Sequence, residues 1–209
     1  RSVLASVDVD VAAAQVIFLQ PSVGDELAVG TAHSVSISFL DNGVPQSGKT
    51  VEFLSTRGSF DVSQAVTNAT GVATASIESS SAGMATITAR IGTLLASQAV
   101  EFVSSDASKL SLQASPTVVG VNQSETSLNS SQIIAIVRDA ADNPVKGKVV
   151  YFSSVSDPSG GRIEPAYATT DSSGVASVAF YPGSNPTGTD QIRLLRSEEH
   201  TSELQSPDH

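Results

Sequence analysis

Two pairs of aspartates are the residues best placed to do chemistry in this chain. Asp8 and Asp10 alternate around Val9, so both carboxylates share one face of an extended segment. Asp139 and Asp142 stand close together in Asp139-Ala140-Ala141-Asp142-Asn143-Pro144, a turn-forming stretch at the end of an apolar run. Carboxylates gathered at the ends of elements suit calcium, which takes about six to eight oxygen ligands. Neither pair supplies that many without main-chain help. A calcium site at a junction between repeats is therefore the metal alternative for these four residues. Solvated acidic turns are the default expectation, and no other cofactor is implied.

Catalytic patterns are not supported. Serines are abundant, but His33 is the one histidine outside the last fourteen residues, and it stands in a turn-like stretch. No G-x-S-x-G, H-E-x-x-H or phosphate-binding glycine loop occurs. With no cysteine there is neither a disulfide nor a thiolate metal site. Asn68, Asn122 and Asn129 open N-x-S/T triplets, an unsurprising outcome in a chain so rich in Ser and Thr. Aromatic side chains look too few and too buried by pattern to form a sugar-stacking platform. Tyr181 is the one on an apparent loop, with packing over that turn as its expected role.

The elements that would hold these residues are strands. Val35, Ile37 and Phe39 alternate with Ser34, Ser36 and Ser38; Ala85, Ile87 and Ala89 alternate with Thr86, Thr88 and Arg90. A period of two puts one set in a core and the other in water. Asp41-Asn42-Gly43, Asn68-Ala69-Thr70-Gly71 and Asp171-Ser172-Ser173-Gly174 supply the reversals between runs. No helical period of useful length appears, so the fold class is all-β. The formal charge of −10 argues against nucleic acid and anionic membrane as partners. No apolar run approaches the ~20 residues of a membrane-crossing helix, so direct membrane insertion is not expected.

The chain repeats itself. Gly48, Lys49, Val51 and Phe53 correspond to Gly147, Lys148, Val150 and Phe152, and Thr70-Gly71-Val72-Ala73 corresponds to Ser173-Gly174-Val175-Ala176. The first residues join in, since VLASVDVDVAAAQVIF (3–18) can be laid on ITARIGTLLASQAVEF (87–102). The expected organisation is a hairpin remnant of a preceding repeat over 1–15 and a complete repeat over 16–104. A second repeat lacking its last strand follows over 105–195, then a separate tail over 196–209.

The ordered set G-K-x-V-x-F, then T-[ND]-x-x-G-x-A, occurring twice, resembles the bacterial Ig-like domain (Big-1 type) of the invasin/intimin family. It stands as Gly48 to Phe53 with Thr67 to Ala73, and as Gly147 to Phe152 with Thr170 to Ala176. Asp139 to Val145 is similar to the family's D-x-x-G-N-P-V turn, with Asp142 where glycine is usual. The resemblance implies tandem immunoglobulin-like β-sandwiches joined end to end. It further implies a non-catalytic stalk on the outer membrane, whose immediate partners are neighbouring repeats of the same chain. A host-cell receptor or glycan would be met by parts outside this segment. Two alternatives stand beside it: a module that itself binds a receptor or glycan, and spacer domains of a secreted carbohydrate-active enzyme.

The tail has a different character. RSEEHTSELQSPDH, residues 196–209, contains five of the 32 charged side chains and two of the three histidines. Its first eleven residues resemble the translation of a common short-read sequencing adapter. On that reading the chain's own sequence ends at Leu195, with a formal charge of −7.

Overall fold

The computed structural model describes residues 14–123, 129–187 and 193–197, the last five by backbone course alone. Among the described residues all regular structure is strand. Among these residues no helix is long and apolar enough to cross a membrane. Contacts divide the chain into two units, at Val103 and Ser104.

The first unit contains β1 (Ala14–Gln20), β2 (Glu26–Ala28), β3 (His33–Asp41), β4 (Val44–Pro45) and β5 (Thr50–Ser55). It continues with β6 (Ser59–Phe60), β7 (Gln64–Val66), β8 (Val72–Glu78), β9 (Gly83–Ile91) and β10 (Leu94–Val103). One sheet has the order β1-β3-β8-β6 with β4 against β3; the other runs β2-β10-β9-β5-β7. Every pairing is antiparallel except β2 with β10. The alternation read from the sequence determines which side chains meet between the sheets. Val35, Ile37 and Phe39 of β3 and Val51 and Phe53 of β5 are buried, as are Ala85, Ile87 and Ala89 of β9. Each large one contributes about 1.5–3 kcal/mol by leaving water. The architecture is an immunoglobulin-like sandwich.

The second unit contains β11 (Lys109–Ser115), β12 (Ser131–Arg138), β13 (Val149–Ser156), β14 (Arg162–Glu164), β15 (Tyr167–Thr169), β16 (Val175–Tyr181) and β17 (Arg193–Ser197). Its sheets are β11-β12-β16-β14 and β15-β13-β17. The first order matches β1-β3-β8-β6 strand for strand. The second matches β7-β5-β9, and among the described residues no strand of this unit takes the places of β10 and β2. Register extends the match: Phe53 pairs with Ala89 on β9, and Phe152 pairs with Arg196 on β17. Arg196 and Ser197 of the expected tail are thus backbone-paired, while residues 198–209 lie outside the described residues.

One alignment is corrected. Laying residues 3–18 on 87–102 makes Val16 and Phe18 equivalents of β10. They belong instead to β1, where Val16 pairs with Phe39 and Phe18 with Ile37, and both pack on the core of the first unit. A short apolar alternation of this kind fits an opening strand as well as a closing one, and periodicity alone does not separate them. Residues 1–13, which would hold the rest of the expected remnant, lie outside the described residues.

Candidate functional site

Asp139 is the first residue after β12, and the chain turns there to reach Val145. Its backbone N–H donates to the Asn143 carbonyl at 3.0 Å, closing the turn. Its carboxylate faces inward, only 8% exposed, which corrects the expectation of a solvated acidic turn. One oxygen accepts from the N–H groups of Ala141 (2.9 Å) and Asn143 (2.8 Å). The other accepts from Ser104 Oγ at 2.8 Å and Asn143 Nδ2 at 2.9 Å. Burial by itself would raise this carboxyl's pKa. The hydrogen bonds from Asn143, Ser104 and the Asn143 and Ala141 N–H groups outweigh it and hold the pKa below the ordinary value of 3.8.

Asp142, three residues on, does something else. It holds a positive φ of 68°, which explains why glycine suits this position. Its carboxylate takes the Lys109 ammonium at 2.7 Å, and its carbonyl accepts from Arg138 at 2.7 Å. Asp139 and Asp142 therefore do not converge on a common point, and four donors already occupy the lone pairs calcium would need. This pair does not fit the ion. Asp8 and Asp10 lie outside the described residues. Among the described residues, no three His, Asp or Glu side chains converge.

The repeated motif forms the same object twice. Thr67, buried, accepts from the Lys49 N–H through Oγ1 at 2.9 Å and donates to the Gln46 carbonyl at 2.6 Å. Thr170, also buried, accepts from the Lys148 N–H at 2.8 Å. Asn68 Oδ1 accepts from the N–H groups of Thr70 (2.9 Å) and Val72 (3.0 Å). Asp171 Oδ1 accepts from those of Ser173 (2.8 Å) and Val175 (3.0 Å). Asn and Asp are interchangeable there because only a carbonyl-type oxygen is required. The final glycine is required for two reasons. Gly71 has φ 74°, and a Cβ on it would stand 2.7 Å from the Phe39 carbonyl oxygen. Gly174 has φ 73°, and its Cβ would come closer still to the Val137 oxygen. In both units the motif carbonyl accepts from the strand behind it, Phe39 N–H to Gly71 and Val137 N–H to Gly174, each at 2.8 Å.

The remaining candidates separate cleanly. His33 opens β3 with Nε2 2.9 Å from the Ala28 carbonyl, and Ser34 Oγ accepts from Gln20, so the two form no nucleophile–base pair. Asn122 Nδ2 donates to the carbonyls of Asn129 and Pro182, and Asn129 Nδ2 donates to that of Val121. Both amide nitrogens that a glycan would need are held. Tyr181 is placed on a strand and not on the expected loop: it ends β16, pairs with Arg162 of β14 and has that guanidinium 4.9 Å from its ring centre. A cavity of about 240 Å³ beside β13 is lined by Phe152, Ile163 and Phe180 with Asp157, Gly161 and Arg162. Asp157 within it is engaged by the Ser159 hydroxyl and the Gly161 N–H, leaving an apolar recess without a poised acid or base.

The aromatic reading needs correction. Tyr151 and Tyr167 pair across β13 and β15 with ring centres 5.8 Å apart, and Tyr167 is 56% exposed. The outward direction of Tyr151 is legible in the sequence, since it lies between the inward Val150 and Phe152. In the first unit the same row holds Glu52 and Gln64, with Glu52 paired to Arg90.

Comparison with known proteins agrees with this geometry. Residues 25–103 match the family model of the bacterial Ig-like domain (group 1). Among solved structures the chain is similar to InvD of Yersinia pseudotuberculosis, at 19% identity over 84% of this chain and 50% of that one, with a TM-score of 0.60. It is also similar to the D0-D1 domain of intimin (23% identity, 82% and 85% covered, TM-score 0.38). A third is invasin, a bacterial integrin-binding protein (22% identity, 82% and 33% covered, TM-score 0.37). At these identities the likeness is one of fold, and the InvD superposition carries it. The chain spans half the length of InvD and a third of invasin.

Proposed function

We propose that this chain, whose residues 25–103 match the bacterial Ig-like domain (group 1), is a non-catalytic stalk segment of a bacterial surface adhesin of the invasin/intimin type. The observation that supports the reading is where the repeated motif residues go. Thr67 and Thr170, Asn68 and Asp171, Gly71 and Gly174 are all engaged in holding turns against strands, in both units alike. Residues engaged in this way specify a fold, and a fold repeated along one chain makes length. The location implied is the outside of the cell, on the outer membrane, with an adhesive part supplied by the rest of the protein. The tail from Arg196 is read as foreign to the domain.

Sequencing the source locus across the codons for Leu194 to His209 and onward in both directions tests this. Further copies of the motif set, and a membrane barrel beyond them, are expected. A catalytic domain next to the repeats would overturn the stalk in favour of a spacer in a secreted enzyme. A second reading, direct contact with a receptor or glycan, is favoured by the exposed Tyr167 beside Tyr151. It requires that Tyr167→Ser weaken adhesion of whole cells displaying the protein; unchanged adhesion leaves the stalk reading alone.

A further inference from the structure

In the first unit we infer that β2 and β10 form a shear clamp through which the unit resists tension along the chain. The idea deepens the stalk reading and rests on it only for its purpose. β2 and β10 are the parallel pair of this unit, with Glu26 opposite Glu101, Leu27 opposite Phe102 and Ala28 opposite Val103. Further bonds flank the ladder: Gly24 N–H to the Ala99 carbonyl (2.9 Å), Glu101 N–H to Asp25 (3.0 Å) and Val29 N–H to Val103 (2.9 Å).

Direction decides how such a pair fails. Tension drawn through the chain pulls β2 toward its N-terminal side and β10 toward its C-terminal side. Because the two strands run the same way, that pull slides them past each other along their length. All the cross-strand bonds are then strained together, whereas peeling from one end breaks them singly. Sliding must also drag Leu27 and the fully buried Phe102 from the core. The topology adds protection. Everything between Val29 and Ala99 lies, in sequence, between the two clamp strands. Tension entering from the N-terminus first draws β1 off β3. After that, while the clamp holds, it crosses from β2 to β10 and does not reach the intervening chain.

The test is single-molecule force spectroscopy on the full chain held by its ends. One rupture should release the shielded residues 29–99, about 240 Å of extended chain at roughly 3.3–3.6 Å per residue. Val29→Pro removes the N–H donated to Val103 and should lower the rupture force. Ile77→Val, in the core on the other sheet, should lower the melting temperature and leave the force at the parent's level. A direction test needs no destabilised variant. Val23 and Leu95 are exposed and the chain has no cysteine, so handles fit at Val23→Cys and Leu95→Cys. Pulling there draws on the N-terminal sides of both strands, and the folded unit should open at clearly lower force. Equal force in the two directions, or an equal loss of force in Ile77→Val and Val29→Pro, overturns the clamp. A weak rupture beside a locus rich in repeats defeats the clamp alone; a strong one beside a catalytic domain defeats the stalk alone.

Discussion

The two units share their turn chemistry and differ in how their second sheet is closed. In the first, β10 and β2 continue the sheet beyond β9, and Val100, Phe102 and Leu27 from those strands complete the core. In the second, the described sheet stops at β17, and among the described residues no strand stands in the places of β10 and β2. Yet the threonine bonds, the Asn/Asp-held turns and the close glycine approach are reproduced within tenths of an ångström. Turn chemistry of this kind is local and is satisfied wherever its few residues meet. Core closure is a separate requirement, met by strands distant in sequence.

The largest expected effect comes from supplying what the second unit's described sheet lacks. Register makes residue 196 the counterpart of Ala89, so replacing 196–209 by a copy of Ala89–Val103 should append the closing strand in register. With about four apolar side chains newly buried, the gain is on the order of 6–12 kcal/mol before ordering entropy. Calorimetry should show the transition of the second unit rising toward that of the first. If the grafted chain melts as the original does, residues 198–209 already serve that edge, and the reading of the tail as foreign fails.

A smaller effect sharpens the contrast at the acidic turn. Asp139→Ala strands Ser104 Oγ, Asn143 Nδ2 and two N–H groups in a buried place, and should destabilise the second unit by about 2–4 kcal/mol. The pH dependence follows from the lowered pKa. Stability from a depressed carboxylate is fully present above its unfolded value, 3.8, and is lost as pH falls through the lower folded value. Acid titration monitored by hydrogen exchange should therefore open the second unit's turn below pH 3.8. In Asp139→Asn, that part of the acid sensitivity should be missing.

The smallest effect separates two glycines that the sequence presents alike. Gly48 and Gly71 both have positive φ, but a Cβ at Gly48 would meet nothing within 4 Å. Gly48→Ala should cost only about 1 kcal/mol for the left-handed backbone. Gly71→Ala adds the collision with the Phe39 carbonyl and should cost about 2–3 kcal/mol, read as the difference in denaturation midpoint. Equal losses would mean that close approach plays no part in the motif.

Much of this was legible beforehand because period two and turn chemistry are local signals. Alternation alone places Val35, Ile37, Phe39, Ala85, Ile87 and Ala89 inward, and Asn42-Gly43 is the reversal that its positive φ values show. What escaped depended on distance. Asp139 looks like any turn aspartate until Ser104, 35 residues earlier, is brought onto its carboxylate. Phe18 matched a closing strand as well as an opening one until its partner, Ile37, was known. The Tyr151–Tyr167 pair required a strand pairing that no local pattern specifies.

The outward row across β5 and β13 has a consequence of its own. At matching positions one unit shows Gln64, Glu52 and Arg90, a polar stripe with an ion pair in it, and the other shows Tyr167 and Tyr151, an aromatic one. Neither row includes a residue that holds the turns. Units of this build can therefore change their coat while keeping their skeleton. Antibodies raised against one unit's sheet face would find little to recognise on its neighbour.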